Sequence, residues 1–125
     1  MKITRLDHVQ LAMPPGGEEQ AREFYGRILN LRELEKPVQL RAKGGCWFAG
    51  DGLELHLGVQ TDFQPATKAH PGLRVADIDA ARVHLETAGI TIVSDTSGVR
   101  VRRFYVNDPF GNRLEFMQEG STFYP

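Results

Sequence analysis

Between residues 4 and 13 the chain reads TRLDHVQLAM. Val9, Leu11 and Met13 take every second position, with His8, Gln10 and Ala12 between them. That is the period of a strand with one apolar and one polar side. PPGG at 14–17 ends the run. The next stretch, EEQAREFYGRILNL, changes period: Ala21, Phe24, Tyr25, Ile28 and Leu29 make the stripe of an amphipathic helix. Short segments follow. LRAKGGCWFAG, beginning at Leu40, predicts a strand around Trp47 and Phe48 beyond a Gly-Gly turn. Asp51-Gly52 is a hairpin signal. After it, Leu53, Leu55, Leu57 and Val59 alternate with Glu54, His56 and Gly58.

Residues 61–69, TDFQPATKA, read as a connecting loop, and then the order of elements starts again. HPGLRV at 70–75 predicts a strand with Leu73 and Val75 on one face and His70, Gly72 and Arg74 on the other. Pro71 pushes His70 toward extended geometry. Asp77 is placed to cap a helix over IDAARVHLETA, with Ile78, Ala81, Leu85 and Ala88 as its apolar stripe and Gly89 as its stop. ITIVSD, VRRFYVND and RLEFMQ read as strands. NDPFGN forms a turn in which Pro109 presets φ and Gly111 supplies positive φ. The tail GSTFYP is expected to be loose.

Strand, helix and three strands, given twice, make an internal duplication. His70 follows His8 by 62 positions and Glu115 follows Glu54 by 61. LEL at 53–55 is thus matched to LEF at 114–116, His8 to His70, and Glu54 to Glu115. The fold class expected is α+β: two curved mixed sheets around a shared cavity, with helices outside.

Composition narrows the chemistry. A chain of 125 residues with 41% hydrophobic and 25% charged residues is expected to form a single domain over 1–125, with repeats at about 4–60 and 68–118. A net charge of −1 offers no field for nucleic acid or an anionic membrane, so neither partner is expected. No apolar run approaches the roughly 20 residues of a membrane span, and MKITRLDHVQ has no signal-peptide core. A cytoplasmic location is expected. Cys46 stands alone, which excludes an internal disulfide and a multi-cysteine zinc site. It reads as a small apolar residue.

On the polar strand faces, His8, Gln10, Glu54, His56, His70, Arg74 and Glu115 would point into one space. Ionisable groups sharing a concavity need partners or a metal, since burying them alone is costly. Two imidazoles and two carboxylates suit Zn, Ni, Co, Mn or Fe(II). His8, His70 and Glu115 alone would make the two-histidine, one-carboxylate face of non-haem iron oxygenases. His56 shares a face with Glu54 and could replace it; otherwise it supports the ligands or touches substrate.

DHVQLAM, AREFYGRILNL, LELHLGV, KAHPGLRVADIDA and above all RFYVNDPFGNRLEF resemble the glyoxalase / bleomycin-resistance / extradiol dioxygenase superfamily, the vicinal oxygen chelate proteins. The likeness spans about residues 4–118. It implies two tandem βαβββ modules, paired within one chain or swapped across a homodimer. It also implies a divalent metal held by His8, Glu54, His70 and Glu115. The metal would act as Lewis acid on a small substrate with neighbouring oxygens, with Glu54 and Glu115 available as catalytic carboxylates. Gln10, His56, Arg74 and Arg102 are the expected substrate contacts. The superfamily also contains Fe(II) extradiol dioxygenases and metal-free drug-binding proteins, so its chemistry style does not name a substrate. Arg103 is a further arginine able to hold an anion. Trp47, Phe48 and Tyr105 read as core aromatics, Asp108 and Asn112 as turn residues, and His84 as a surface residue of the second helix.

Overall fold

The computed structural model describes residues 1–125 as two compact units, Met1–Pro65 and Ala66–Pro125, whose boundary falls in the expected connecting loop. The first unit runs β1 (Val9–Met13), α1 (Glu18–Ala21), a π-helix (Arg22–Ile28), β2 (Arg32–Leu34), α2 (Val38–Arg41), β3 (Cys46–Gly50) and β4 (Leu53–Val59). The second runs β5 (Gly72–Val75), α3 (Ile78–Thr87), β6 (Val93–Ser94), β7 (Arg103–Asn107) and β8 (Arg113–Gln118). The sheets have matching orders, β1-β4-β3-β2 and β5-β8-β7-β6. In each, the first strand lies parallel to the last and the remaining pairs are antiparallel. The chain is α+β, with two βαβββ modules.

Alternation sorts the sheet faces as the sequence predicts. Met13, Phe48, Leu55 and Leu57 are buried on one side of the first sheet, and Ala21, Phe24, Tyr25 and Ile28 of the helical segment are buried with them. In the second module the core comprises Phe104, Val106, Leu114 and Phe116 with Ile78 and Leu85 of α3. Burying each large apolar side chain contributes about 1.5–3 kcal/mol. Asp77 caps α3 as expected, accepting from the N–H groups of Asp79 and Ala80, and Gly89 ends it at φ +83°. Asp108 organises the NDPFGN turn, accepting from the amides of Phe110 at 2.9 Å and Asn112 at 2.8 Å.

Three expectations are corrected. Strand β1 begins at Val9 and not at Thr4, because its pairing with β4 starts at Val9↔Leu55. The first helix widens after one α-turn: the Leu29 N–H donates to the Phe24 carbonyl, five residues back, at 2.8 Å. A wider turn separates sequence neighbours by a smaller angle, and the adjacent Phe24 and Tyr25 are both buried. The tail is also held. The Arg74 guanidinium donates to the carbonyls of Gln118 and Ser121, the Arg102 N–H donates to Ser121 Oγ, and the Phe123 ring lies under Arg103.

The register revises the internal match. Gln10 pairs with His56, and Gly72 pairs with Glu115. Beyond the strand ends, the Gln60 N–H reaches Met13 O and the Glu119 N–H reaches Val75 O. With His8 matched to His70, the residue in the place of Glu115 is therefore His56, 59 positions earlier, and not Glu54. Burial agrees: His56 and Glu115 are buried, whereas Glu54 is half-buried. A slip of two residues along a strand preserves the face, so the repeated Leu-Glu letters gave the correct side and the wrong position.

Candidate functional site

In the first module the strand pairing brings His8, Gln10, Glu54, His56 and Trp47 to one face. His8 immediately precedes β1 and is exposed. Its Nδ1 lies 2.9 Å from Asp7 Oδ2. That hydrogen bond is the main reason the Asp7 carboxyl is held below its usual range. An ionised carboxylate only accepts, so His8 Nδ1 carries a proton and donates it to Asp7. His56 is the middle ring of a stack. Trp47 lies 3.9 Å from it at 4° between planes, and His8 lies 4.1 Å from it at 15°. His56 Nε2 is 2.7 Å from Glu54 Oε2. The candidate ligand atoms of His8, Glu54 and His56 lie within 4.8 Å of one another. Two imidazoles and a carboxylate at that spacing are a donor set that one divalent cation could gather.

The second module presents His70, Glu115, Tyr105, Arg103 and Arg113 on the corresponding face. His70 Nδ1 lies 2.8 Å from the Lys68 carbonyl. A carbonyl cannot donate, so Nδ1 carries the proton. His70 Nε2 then directs its lone pair at Glu115 Oε1, 2.9 Å away. A bare nitrogen and a carboxylate oxygen repel at that distance unless a positive charge joins them, either a proton or a metal ion. Both matched histidines thus have Nδ1 fixed on an oxygen, which leaves Nε2 as the atom that faces the other candidate ligands. That arrangement orients a metal-ligating imidazole. The other Glu115 oxygen faces Arg103 Nη1 at 3.4 Å, and Arg103 Nε is 3.1 Å from Asp95. Burial opposes the Arg103 charge, but Asp95, Tyr105 and Glu115 overcome it and hold the guanidinium above its usual range. Hydrogen bonds from Ser97 and then Arg103 keep the Asp95 carboxyl below its usual range.

Each expected site residue can now be placed. His8, Glu54 and His56 come together in the first module, with Gln10 paired alongside His56; His70 and Glu115 come together in the second. Arg74 and Arg102, expected to touch substrate, make no hydrogen bond to either group. Arg74 holds the tail, and Arg102 Nη2 pairs with Asp79 at 2.7 Å. Both are exposed, and each finds its oxygen partners locally. Sequence reading placed Trp47 and Tyr105 in the core. Trp47 instead lies on His56, and the Tyr105 ring stands edge-on to His70 at 5.7 Å. Their alternation with Phe48 and Phe104 was the available signal. Asp95 lies outside any strand and had none. Cys46 is buried, and burial pushes its thiol up to about 11, consistent with an apolar role. His84 is exposed on α3. No helix is long and apolar enough to cross a membrane.

Comparison with curated protein sequences finds no match. Among solved structures, a glyoxalase family protein from Bacillus anthracis is 47% identical, with a TM-score of 0.90, covering 94% of this chain and 97% of its own. A glyoxalase/dioxygenase from Nostoc punctiforme is 26% identical at TM-score 0.66, covering 87% and 88%. The fosfomycin resistance protein FosX from Listeria monocytogenes is 18% identical at TM-score 0.77, covering 93% and 91%, a likeness of fold. Other structures of FosX hold Mn(II), one of them with 1S,2S-dihydroxypropylphosphonic acid. The Glyoxalase/Bleomycin resistance protein/Dioxygenase superfamily matches residues 5–116, nearly the whole chain, and the protein belongs to that superfamily.

Proposed function

We propose that this protein is a metal-dependent, glyoxalase-like enzyme acting on a small substrate with neighbouring oxygens. The proposed ligands are His8 and His70 through Nε2, with Glu115 from the second module and Glu54 or its register alternative His56 from the first. The observation that supports the reading is the His70–Glu115 contact, where Nε2 and a carboxylate oxygen lie 2.9 Å apart and a proton or a metal ion must stand between them. When bound, a divalent cation supplies Lewis acidity toward substrate oxygens and stabilises negative charge that develops on them.

The remaining chemistry belongs to the chain's own groups. Lys68 O and Asp7 fix the two imidazole tautomers. Arg103 holds one Glu115 oxygen and so sets the carboxylate plane. His56 does the same for Glu54, leaving the other Glu54 oxygen free to bind. Either glutamate can move a proton at a substrate carbon or oxygen beside it. Gln10, paired alongside His56, offers an amide to substrate.

Elemental analysis of untagged protein purified without chelator tests the reading. One divalent ion per chain is expected, with occupancy falling at least tenfold in His70→Ala and Glu115→Ala. Full occupancy in either variant overturns the ligand assignment. No ion after soaking with Ni, Zn, Mn and Fe(II) would make the protein a metal-free ligand binder. The identity of a bound ion would separate an isomerase-type enzyme, an expected user of Zn, Ni, Co or Mn, from an Fe(II) oxygenase.

A further inference from the structure

Beside the ring stack, the first module contains a second feature that the metal chemistry does not use. It is a pocket of about 240 Å³, lined by Gln10, Lys36, Leu40, Lys43, Trp47 and Gly58 among others. Its floor is the next step along the same strands. Gln10 pairs with His56, His56 pairs with Trp47, and Gly58 follows two residues after His56 on the same face. Its wall is the loop from Lys36 to Gly44, which carries α2. A Cβ at position 58 would lie 2.7 Å from Gln10 Nε2, so a side chain there would push the Gln10 amide aside. Glycine therefore keeps the floor low and lets the Gln10 amide lie across it.

Two cations line this pocket, no carboxylate is among its lining residues and neither cation forms an ion pair, the Glu18 carboxylate lying behind Gly44. The Lys36 ammonium donates to the Gly44 carbonyl, leaving its other protons unspent. Lys43 is exposed, and its ammonium takes part in no ion pair or hydrogen bond. A loop that bends two lysines toward an indole face, an amide and Leu40 combines charge recognition with a flat apolar surface. Trp47 belongs to both features. One part of the indole wall lines this pocket, and its plane stacks on His56.

We infer that this pocket is an anion-recognition subsite, and that the substrate bears a carboxylate, phosphate or phosphonate joined by a short flat or apolar segment to its vicinal oxygens. Lys36 and Lys43 take the anion, Gln10 bonds the linker and Trp47 covers it. The substrate assignment rests on the metal-centre reading proposed above; anion binding in the pocket does not require it.

Trp47 is the only tryptophan, so its fluorescence reports on the pocket. The probe is phenylphosphonate, titrated into protein stripped of metal with EDTA, with benzyl alcohol as the neutral counterpart. A saturable fluorescence change is expected for phenylphosphonate only. It should weaken about tenfold in a Lys36→Gln, Lys43→Gln double variant, a loss of about 1.4 kcal/mol. Gly58→Ala, which displaces Gln10, should weaken it as well. Far-ultraviolet circular dichroism checks that each variant folds. No saturable change, an unchanged response in the lysine double variant, or an equal response to benzyl alcohol overturns the inference. Metal content, measured on separate unstripped samples, tests the metal reading independently. An anion-binding pocket without metal leaves the inference standing and removes the metal centre, and metal without anion binding does the reverse.

Discussion

Asp95 shows how one residue outside the candidate ligands can govern them. Its carboxylate pairs with Arg103, and Arg103 reaches Glu115. The folded-state pKa of Asp95 is depressed, so its stabilising contribution is present above the ordinary aspartate range and is lost as pH falls through the folded value. Asp95→Asn is expected to lower the urea midpoint at neutral pH, with the difference from the parent shrinking as pH falls below the ordinary aspartate range. A difference that persists unchanged into acid would show that the pair contributes nothing electrostatic. Cys46 gives the complementary case. Its raised pKa leaves the thiol neutral and shielded at neutral pH. A thiol reagent such as 5,5′-dithiobis(2-nitrobenzoate) should react slowly with native protein at pH 8 and fast in urea. Rapid native reaction would contradict the burial. Leu55→Ala, in the centre of the first core, is expected to cost about 2–5 kcal/mol by urea titration.

At the scale of elements, glycines with similar backbone angles test whether local conformation or surroundings decide a turn. Gly45 precedes β3 at φ +83°, and a Cβ there would sit 2.2 Å from the Leu57 carbonyl. Gly52 in the β3–β4 hairpin has φ +70° with nothing within 4 Å. Gly52→Ala should cost about 1–2 kcal/mol, the strain of a left-handed residue. Gly45→Ala should cost clearly more, because the ladder must also open. Equal losses in urea titrations would refute the clash. The long periodic elements were legible for the reason these turns are: their residue types have one good conformation. α3 was readable from Asp77 to Gly89, and β4 and β8 from their alternation. β2, with three residues, and α2, with four, carry too few positions to establish a period. The widening of the first helix leaves its apolar stripe unchanged, so no pattern announces it. The face bearing the candidate ligands was legible through alternation. The pairing of His56, and not Glu54, in the position of Glu115 was not, because a hydrogen-bond register that keeps every side chain on its face leaves the residue pattern unaltered.

For the whole molecule, the duplication has diverged in a directed way. One module pairs its leading histidine with a carboxylate, His70 with Glu115. The other stacks its leading histidine on a second imidazole, His8 on His56, with Glu54 hydrogen-bonded behind. If both modules contribute ligands to the same ion, binding must stabilise the entire chain and must fail when either donor set is cut. At a hundred times its dissociation constant, an ion that binds only the folded state adds about 2.7 kcal/mol, a rise of roughly 10 °C in the melting temperature for a chain of this size. Mn(II) is therefore expected to raise the melting temperature of the parent by that amount and to leave His8→Ala and Glu115→Gln unmoved. His84→Ala, on the exposed side of α3, should respond as the parent does. A shift that survives Glu115→Gln but disappears in His8→Ala would confine the ion to the His8–Glu54–His56 cluster. The reverse would confine it to the second module. Loss in both variants, with His84→Ala intact, requires both halves of the duplication for a single binding event.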